Sequence, residues 1–116
     1  MSSFEFSEAT TWGSRPVARR IADTSPRQRL VVTGTIVGRR ITAVGHAPAA
    51  AYRLDDGTGA IELIFVGRVE VGGLHNGTRC TIEGTAQENN GHLVTWNPRY
   101  RIEPPQDEAG TPAQLF

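Results

Sequence analysis

The sequence contains no lysine and one cysteine, Cys80. A single cysteine cannot form a disulfide within the chain, and it lacks the second thiol that a metal or redox pair requires. No apolar run approaches the roughly 20 residues needed to cross a bilayer, and the first residues lack the basic start and apolar core of a signal peptide. We therefore expect a cytoplasmic protein with no membrane association, in which Cys80 is a small buried strand residue.

Positive charge is carried by arginine alone and is unevenly distributed. From Thr11 to Arg53 there are eight arginines and one acidic residue, whereas from Leu54 onward there are four arginines and nine acidic residues. The formal net charge of zero argues against strong non-specific binding to polyanions. Arginine favours bidentate contact with phosphate and stacking on bases, although charges that pair across the folded domain would leave no basic patch.

The length and composition indicate a single small domain. The 116 residues suffice for one modest core, and 13 glycines with 7 prolines indicate many turns and hence a β-rich chain. We predict an irregular N-terminal arm over residues 1–28, with room for a short helix near 17–22. A folded domain over 29–103 and a flexible acidic tail over 104–116 complete the predicted organisation.

Five strands are predicted within the folded domain. Residues 30–41 are rich in β-branched side chains and include Gly34 and Gly38, which indicates a long strand bent or bulged at the glycines. A loop over 42–49 is expected to follow, because it contains glycine and proline. The other predicted strands cover 50–55, 60–66, 78–86 and 92–96, with tight turns at Asp56-Gly57-Thr58-Gly59 and Asn90-Gly91 and an end to regular pairing at Pro98.

Strand alternation predicts which side chains face outward. Tyr52 is predicted to lie in the core and Arg53 outside. Glu62 and Ile64 share one face of their strand, so Ile64 is either an exposed contact point or is covered by the arm or a loop. The outward residues of the fourth strand are predicted to be polar, namely Arg79, Thr81, Glu83 and Thr85.

Four segments in a fixed order carry a family resemblance. They are Thr33-Gly34-Thr35-Ile36, Leu54-Asp55-Asp56-Gly57-Thr58-Gly59-Ala60-Ile61, Phe65-Val66-Gly67-Arg68 and Asn97-Pro98-Arg99-Tyr100. Over residues 29–103 the chain resembles bacterial OB-fold proteins of the tRNA-anticodon-binding type. It is most similar to small stand-alone actinobacterial OB-fold proteins and more distantly resembles the wedge domain of RecG-type helicases, which grips branched DNA.

The resemblance implies both a fold and a function. The implied fold is all-β: a five-stranded OB-fold Greek-key barrel with an irregular N-terminal arm and a short or missing helix between strands 3 and 4. The implied function is binding of single-stranded or tRNA-like nucleic acid, DNA or RNA, without catalysis. Glu62 on a strand of the implied binding face departs from a strongly basic surface.

A groove for single strands needs cations for the phosphates and flat rings for the bases. The candidate phosphate-binding residues are Arg39, Arg40, Arg53, Arg68 and Arg99. Trp96 and Tyr100 are the candidate stacking rings, and Ile64 is a candidate apolar contact. Trp96 equally fits packing in the core or at its rim, because tryptophan is usually mostly buried.

Nothing in the sequence indicates a catalytic residue, a metal site or a cofactor. His46, His75 and His92 lie in separate segments without the spacing of a zinc site, and the Asp55-Asp56 pair is more simply explained by turn formation.

The alternative to nucleic-acid binding is a protein-binding adaptor, or a subunit of a larger complex, in which Ile64, Trp96 and the arm form a protein interface. We expect a monomer or a weak homo-oligomer, because open barrel edges can pair with another copy.

Overall fold

The structure is a computed structural model, and it describes residues 11–12, 15–16 and 19–104. Two short strands, β1 (Thr11–Trp12) and β2 (Arg15–Pro16), pair antiparallel. A single-turn 3₁₀ helix follows at Ile21–Asp23. The rest of the predicted arm up to residue 18, and the predicted tail from residue 105, lie outside the described residues.

Seven further strands form one mixed sheet. They are β3 (Arg29–Val44), β4 (Ala47–Asp55), β5 (Ala60–Val66), β6 (Arg79–Thr85), β7 (Gln87–Asn89), β8 (His92–Trp96) and β9 (Arg99–Ile102). Their order across the sheet is β7-β8-β5-β4-β3-β6-β9, and only β5 and β8 pair parallel. β8 and β9 are consecutive halves of one bent strand, so the two sides of the sheet meet there and close a barrel.

This topology is that of an OB-fold Greek-key barrel, as predicted. The five strands of the barrel are β3, β4, β5, β6 and the bent strand made of β8 and β9. The strand count is higher than predicted because the last strand is split and because β7 adds a short hairpin arm to β8. Residues 67–78, between the third and fourth barrel strands, contain no helix, which confirms the expectation of a short or missing one.

The first long strand bends where it changes partner. Thr35 pairs with Asp55 of β4 and with Arg79 of β6, so β3 passes from one neighbour to the other at this residue. A bulge between Ile36 and Gly38 shifts the register with β4 just beyond it. A Cβ atom on Gly34 would lie 2.7 Å from the carbonyl oxygen of Asp55. The close approach of β3 and β4 where β3 changes partner therefore requires glycine at this position.

The predicted loop over 42–49 is wrong. β3 and β4 stay paired up to Val44 and Ala47, and the turn contains only Gly45 and His46, with Gly45 at φ 62°. Pro48 lies inside β4 rather than in a loop. It has no N–H to donate, but its carbonyl oxygen accepts a 2.6 Å hydrogen bond from the backbone N–H of Gly67. The glycine and proline therefore mark the tip of a long hairpin.

Regular pairing does not end at Pro98, contrary to the prediction. Asn97 adopts φ 50°, and its backbone N–H donates a 2.7 Å hydrogen bond to the carbonyl oxygen of Ile64. The chain turns at this point and pairing resumes in β9, which lies against β6. Because Asn97 is left-handed, the last barrel strand pairs with β5 before the turn and with β6 after it.

The main core lies inside the barrel and is built from alternate residues of its strands. Its largest fully buried members include Leu30, Ile36, Tyr52, Leu54, Leu63, Leu74 and Ile82. The phenolic oxygen of Tyr52 accepts a 3.0 Å hydrogen bond from the backbone N–H of Val71, so the segment between β5 and β6 caps the barrel. Tyr52 and Cys80 are both buried, as predicted.

The predicted turn at 56–59 is confirmed. Asp56 Oδ1 accepts hydrogen bonds from the backbone N–H groups of Thr58 and Gly59 and from the Thr58 hydroxyl. Asp56 Oδ2 accepts a 2.8 Å bond from the N–H of Ile21, which ties the 3₁₀ helix to the turn. Partial burial opposes ionisation, but these hydrogen bonds outweigh it and lower the pKa of Asp56 below its ordinary value.

Candidate nucleic-acid interface

The outer surface of β3, β4, β5 and β8 forms one face whose side chains lie in register. Paired residues of neighbouring strands point to the same side of a sheet, so the pairing defines rows across this face. One row is Gly38, Arg53, Glu62 and Val94, and the next is Arg40, Ala51, Ile64 and Trp96. We refer to these two rows, with the neighbouring Ala49, as the outer face.

The floor of the outer face is apolar. Ala49, Ala51, Ile64 and Val94 form a second buried cluster, separate from the main core. The side chain of Ile64 is only 4% exposed, which agrees with the interpretation that it is covered and rules out the alternative that it is an exposed contact. Ile64 instead packs in this buried cluster, against which the partly buried Val44 and Val66 also pack.

Two arginines lie next to this apolar cluster, Arg40 on β3 and Arg53 on β4. Arg40 and Arg53 are both exposed, and Arg53 lies directly across from Glu62 in the pairing of β4 with β5. Arg40 donates two hydrogen bonds to Oε2 of Glu62, at 2.8 Å from Nη2 and 3.2 Å from Nε. Within residues 19–104 the Arg53 guanidinium has no ion-pair partner. The prediction that Arg53 faces outward is confirmed.

The tip of the β7–β8 hairpin stands beside these arginines. Asn90 and Gly91 both have positive φ, 55° and 81°, as the predicted two-residue turn requires. His92 follows the turn and, with Arg40, Arg53 and Glu62, lines a surface pocket of about 420 Å³. Sequence reasoning treated His92 as an ordinary surface histidine. The signal that marks it was the alternation of β8, which places His92 on the same face as Val94 and Trp96.

Trp96 marks the other end of the outer face. Its side chain is 39% exposed, so the indole is a rim residue with an accessible surface rather than a core residue. It lines a second pocket, of about 280 Å³, whose walls include Arg29, Pro98 and Arg99. Arg99, one of the candidate phosphate-binding residues, therefore lies at the margin of the outer face, next to the indole.

Beneath this second pocket lies a buried acid. Glu83 Oε2 accepts a 2.7 Å hydrogen bond from Arg29 Nη2, and Arg99 Nη1 lies 3.7 Å from Oε1. Glu83 and Thr81 are both buried, so the prediction that the polar face of β6 points into solvent is wrong for these two residues. These polar side chains can be buried because each has polar partners nearby. Glu83 has Arg29 and Arg99. The Thr81 hydroxyl lies 2.7 Å from that of Thr33 and donates a 2.6 Å hydrogen bond to Glu103.

Two predicted site residues, Arg39 and Tyr100, lie away from the outer face. Arg39 pairs with Tyr52, whose ring is inside the barrel, so Arg39 points to the side opposite Arg40, and its Nη1 donates a 2.7 Å bond to the carbonyl oxygen of Val69. Tyr100 packs edge-on against Phe65 at 5.9 Å and donates its hydroxyl to the Gly72 carbonyl oxygen at 3.0 Å. Arg68 lies on the exposed segment that follows β5.

Another surface groove lies elsewhere on the barrel. It has a volume of about 840 Å³ and is walled by the bend of β3, the 55–57 turn and the ends of β6 and β9. Two exposed apolar side chains, Val37 and Ile102, line it together with Arg79 and Glu103. Among the residues described, no group of three or more His, Cys, Asp or Glu side chains is arranged to hold a metal ion. The same part of the chain contains no helix long and apolar enough to span a bilayer.

Comparison with known proteins supports the fold. No protein-family model matches the chain, and no curated protein sequence matches it. A solved structure with a similar fold is that of a replication factor A related protein from Methanobacterium thermoautotrophicum. It is 14% identical, with a TM-score of 0.56, and the match covers 75% of this chain and 91% of that protein. The likeness is one of fold, and the more specific resemblance to the tRNA-anticodon-binding type and to the RecG wedge domain stays a prediction.

Proposed function

We propose that the protein is a non-catalytic module that binds single-stranded DNA or RNA across the outer face. The observation that carries the proposal is the second row of that face, which has a cation, Arg40, at one end and an exposed ring, Trp96, at the other. Single strands are held by cations that follow the phosphates and by rings on which bases stack, at about 1–3 kcal/mol per stacked base. Arg53 and Arg99 extend the cationic contacts on either side of the floor.

The location of this face within the fold supports the same function. OB barrels bind oligonucleotides on the face of their second and third strands, between the loops that join strands 1–2 and 4–5. Here those strands are β4 and β5, and the corresponding connections include the Gly45-His46 turn and the β7–β8 hairpin. The structurally similar archaeal protein is related to a replication factor, which favours a nucleic-acid ligand.

A protein-binding adaptor, or a subunit of a larger complex, is the second candidate function. The groove lined by Val37 and Ile102 favours it, because these side chains are 48% and 44% exposed and lie outside the outer face. Under either function we place the protein in the cytoplasm, as a monomer or weak homo-oligomer. The domain bounds are proposed as 29–103 for the barrel, between an arm over 1–28 and a tail over 104–116.

Fluorescence anisotropy with labelled oligo-dT and an unstructured RNA, each at two salt concentrations, tests the proposal. The log–log salt slope is expected to be roughly 0.7 per phosphate contacted, and the Arg40→Ala/Arg53→Ala double variant is expected to bind weakly with a shallower slope. Arg39→Ala removes one arginine charge from the opposite side of β3 and is expected to bind like the parent. The proposal is wrong if neither ligand binds at low salt, or if the double variant and the parent bind equally.

A further inference from the structure

An acidic residue occupies the centre of the proposed binding face. Glu62, on β5, is next to both arginines: it lies directly across from Arg53 of β4 in the strand pairing, and Arg40 reaches it from β3, past β4. Both hydrogen bonds from Arg40 go to the same carboxylate oxygen, Oε2. The Glu62 side chain is 27% exposed, so the pair is accessible from solvent.

A phosphate and a carboxylate compete for the same donors on a guanidinium group. Both anions are recognised by the planar fork of N–H groups, and Arg40 already directs its Nε and Nη2 at Glu62. A strand that contacts Arg40 through these donors must therefore displace the carboxylate. An ion pair that is this exposed is weak, because water and salt screen it, so the displacement is feasible at a modest cost.

We propose that Glu62 is a built-in competitor of the nucleic-acid backbone. It holds Arg40 when no strand is bound, yields it when a phosphate arrives, and repels phosphates near Arg53. This inference rests on the proposed function and adds regulation of affinity at the same face. It accounts for an acid placed at the centre of the row that also holds Arg53. The protein then binds single strands reversibly, with an affinity below what its arginines alone would give.

The test compares Glu62→Gln with the parent in the oligo-dT titration. The substitution keeps the size of the side chain and removes its charge. We expect about two- to fivefold tighter binding with a similar log–log salt slope, because Arg40 contacts the same phosphate in both proteins but no longer has to leave a carboxylate. Glu70→Gln is the matched control, because it makes the same charge change on the exposed segment between β5 and β6, beside Arg39.

A double-mutant cycle isolates the role of Arg40. In an Arg40→Ala background, Glu62→Gln is expected to gain less than it does in the parent, because the competition it relieves is absent. The Nε–H resonance of Arg40 gives a second readout in the unmodified protein. It is expected to shift when oligo-dT is added, as the guanidinium exchanges carboxylate for phosphate.

The possible outcomes separate this inference from the function on which it rests. If the parent binds but Glu62→Gln gains no more than Glu70→Gln, Glu62 is not a competitor. If Glu62→Gln binds more weakly than the parent, the carboxylate contributes a contact of its own, and the inference is again overturned. If neither the parent nor Glu62→Gln binds at low salt, both proposals fail. Binding by Glu62→Gln alone would support the competition at Glu62 and overturn the proposed function, since the unmodified protein would then bind no strand.

Discussion

The side chain of Asn97 is hydrogen-bonded to Val66, the last residue of β5: the Asn97 Oδ1 atom accepts a 3.0 Å hydrogen bond from the backbone N–H of Val66. The backbone N–H of Asn97 donates to Ile64 in the same strand, so one residue with positive φ makes two bonds to β5. These bonds fix the point at which the last barrel strand leaves β5 for β6. They also fix Trp96, the preceding residue, at the rim of the outer face.

Asn97→Ala is expected to destabilise the protein by about 2 kcal/mol, because it removes one hydrogen bond and places alanine in the left-handed region. Asn97→Gly loses only the bond and is expected to cost about 1 kcal/mol. Asn97→Asp keeps an acceptor and should stay close to the parent. Urea unfolding followed by tryptophan fluorescence measures all three, and an alanine variant as stable as the parent would disprove the bridging role.

Gly34→Ala is expected to cost about 1–3 kcal/mol, since its Cβ would press on the Asp55 carbonyl oxygen at 2.7 Å and the backbone there cannot move without breaking the barrel crossing. Gly38→Ala is the matched control in the same strand, because nothing lies within 4 Å of its Cβ position. Thermal unfolding of both variants checks this. Equal losses of stability would show that the close approach at Gly34 is not the cause.

The stability contributed by Asp56 is expected to depend on pH. Its pKa is lowered in the folded state, so its contribution is present above the unfolded value of about 3.9 and is lost as pH falls through the folded pKa. Asp56→Asn should therefore be less stable than the parent by about 1 kcal/mol near neutral pH. The difference should shrink below about pH 4. A gap in unfolding free energy that stays constant between pH 7 and pH 3 would contradict this assignment.

Cys80 is expected to be unreactive in the folded protein. Burial, with a smaller effect from the negative charge of Glu103, raises the pKa of its thiol to about 12, and the side chain is fully buried. A thiol reagent added at pH 8 should modify it only at the rate of unfolding, and completely in denaturant. Rapid stoichiometric modification of the native protein would show that β6 is more accessible than described.

Most of the fold follows from local sequence signals. The bounds of β5 and of β8, the turn at Asp56 and the hairpin at Asn90-Gly91 were all predictable, because alternation and turn chemistry agree there. The hairpin around Gly45 was not, since glycine and proline signal a turn without giving its length. The split at Asn97 depends on bonds to a strand about 30 residues away, and local signals do not contain it.

The candidate site was only partly predictable, for one main reason. Arg39 and Arg40 are adjacent, so only one of them can lie on the outer face of the sheet. The bulge between Ile36 and Gly38 determines which one does. The sequence shows that a bulge is favoured but not its position. Arg53 follows no bulge in its own strand, and simple alternation placed it correctly.

Backbone amide chemical-shift mapping during an oligo-dT titration tests the central claim most directly. The account predicts that the largest changes fall on the outer face, at Ala51, Arg53, Glu62 and Ile64, and on Trp96 with its indole N–H. It also predicts small changes around Val37 and Ile102 in the separate groove. Changes concentrated in that groove, or no changes at low salt, would contradict it.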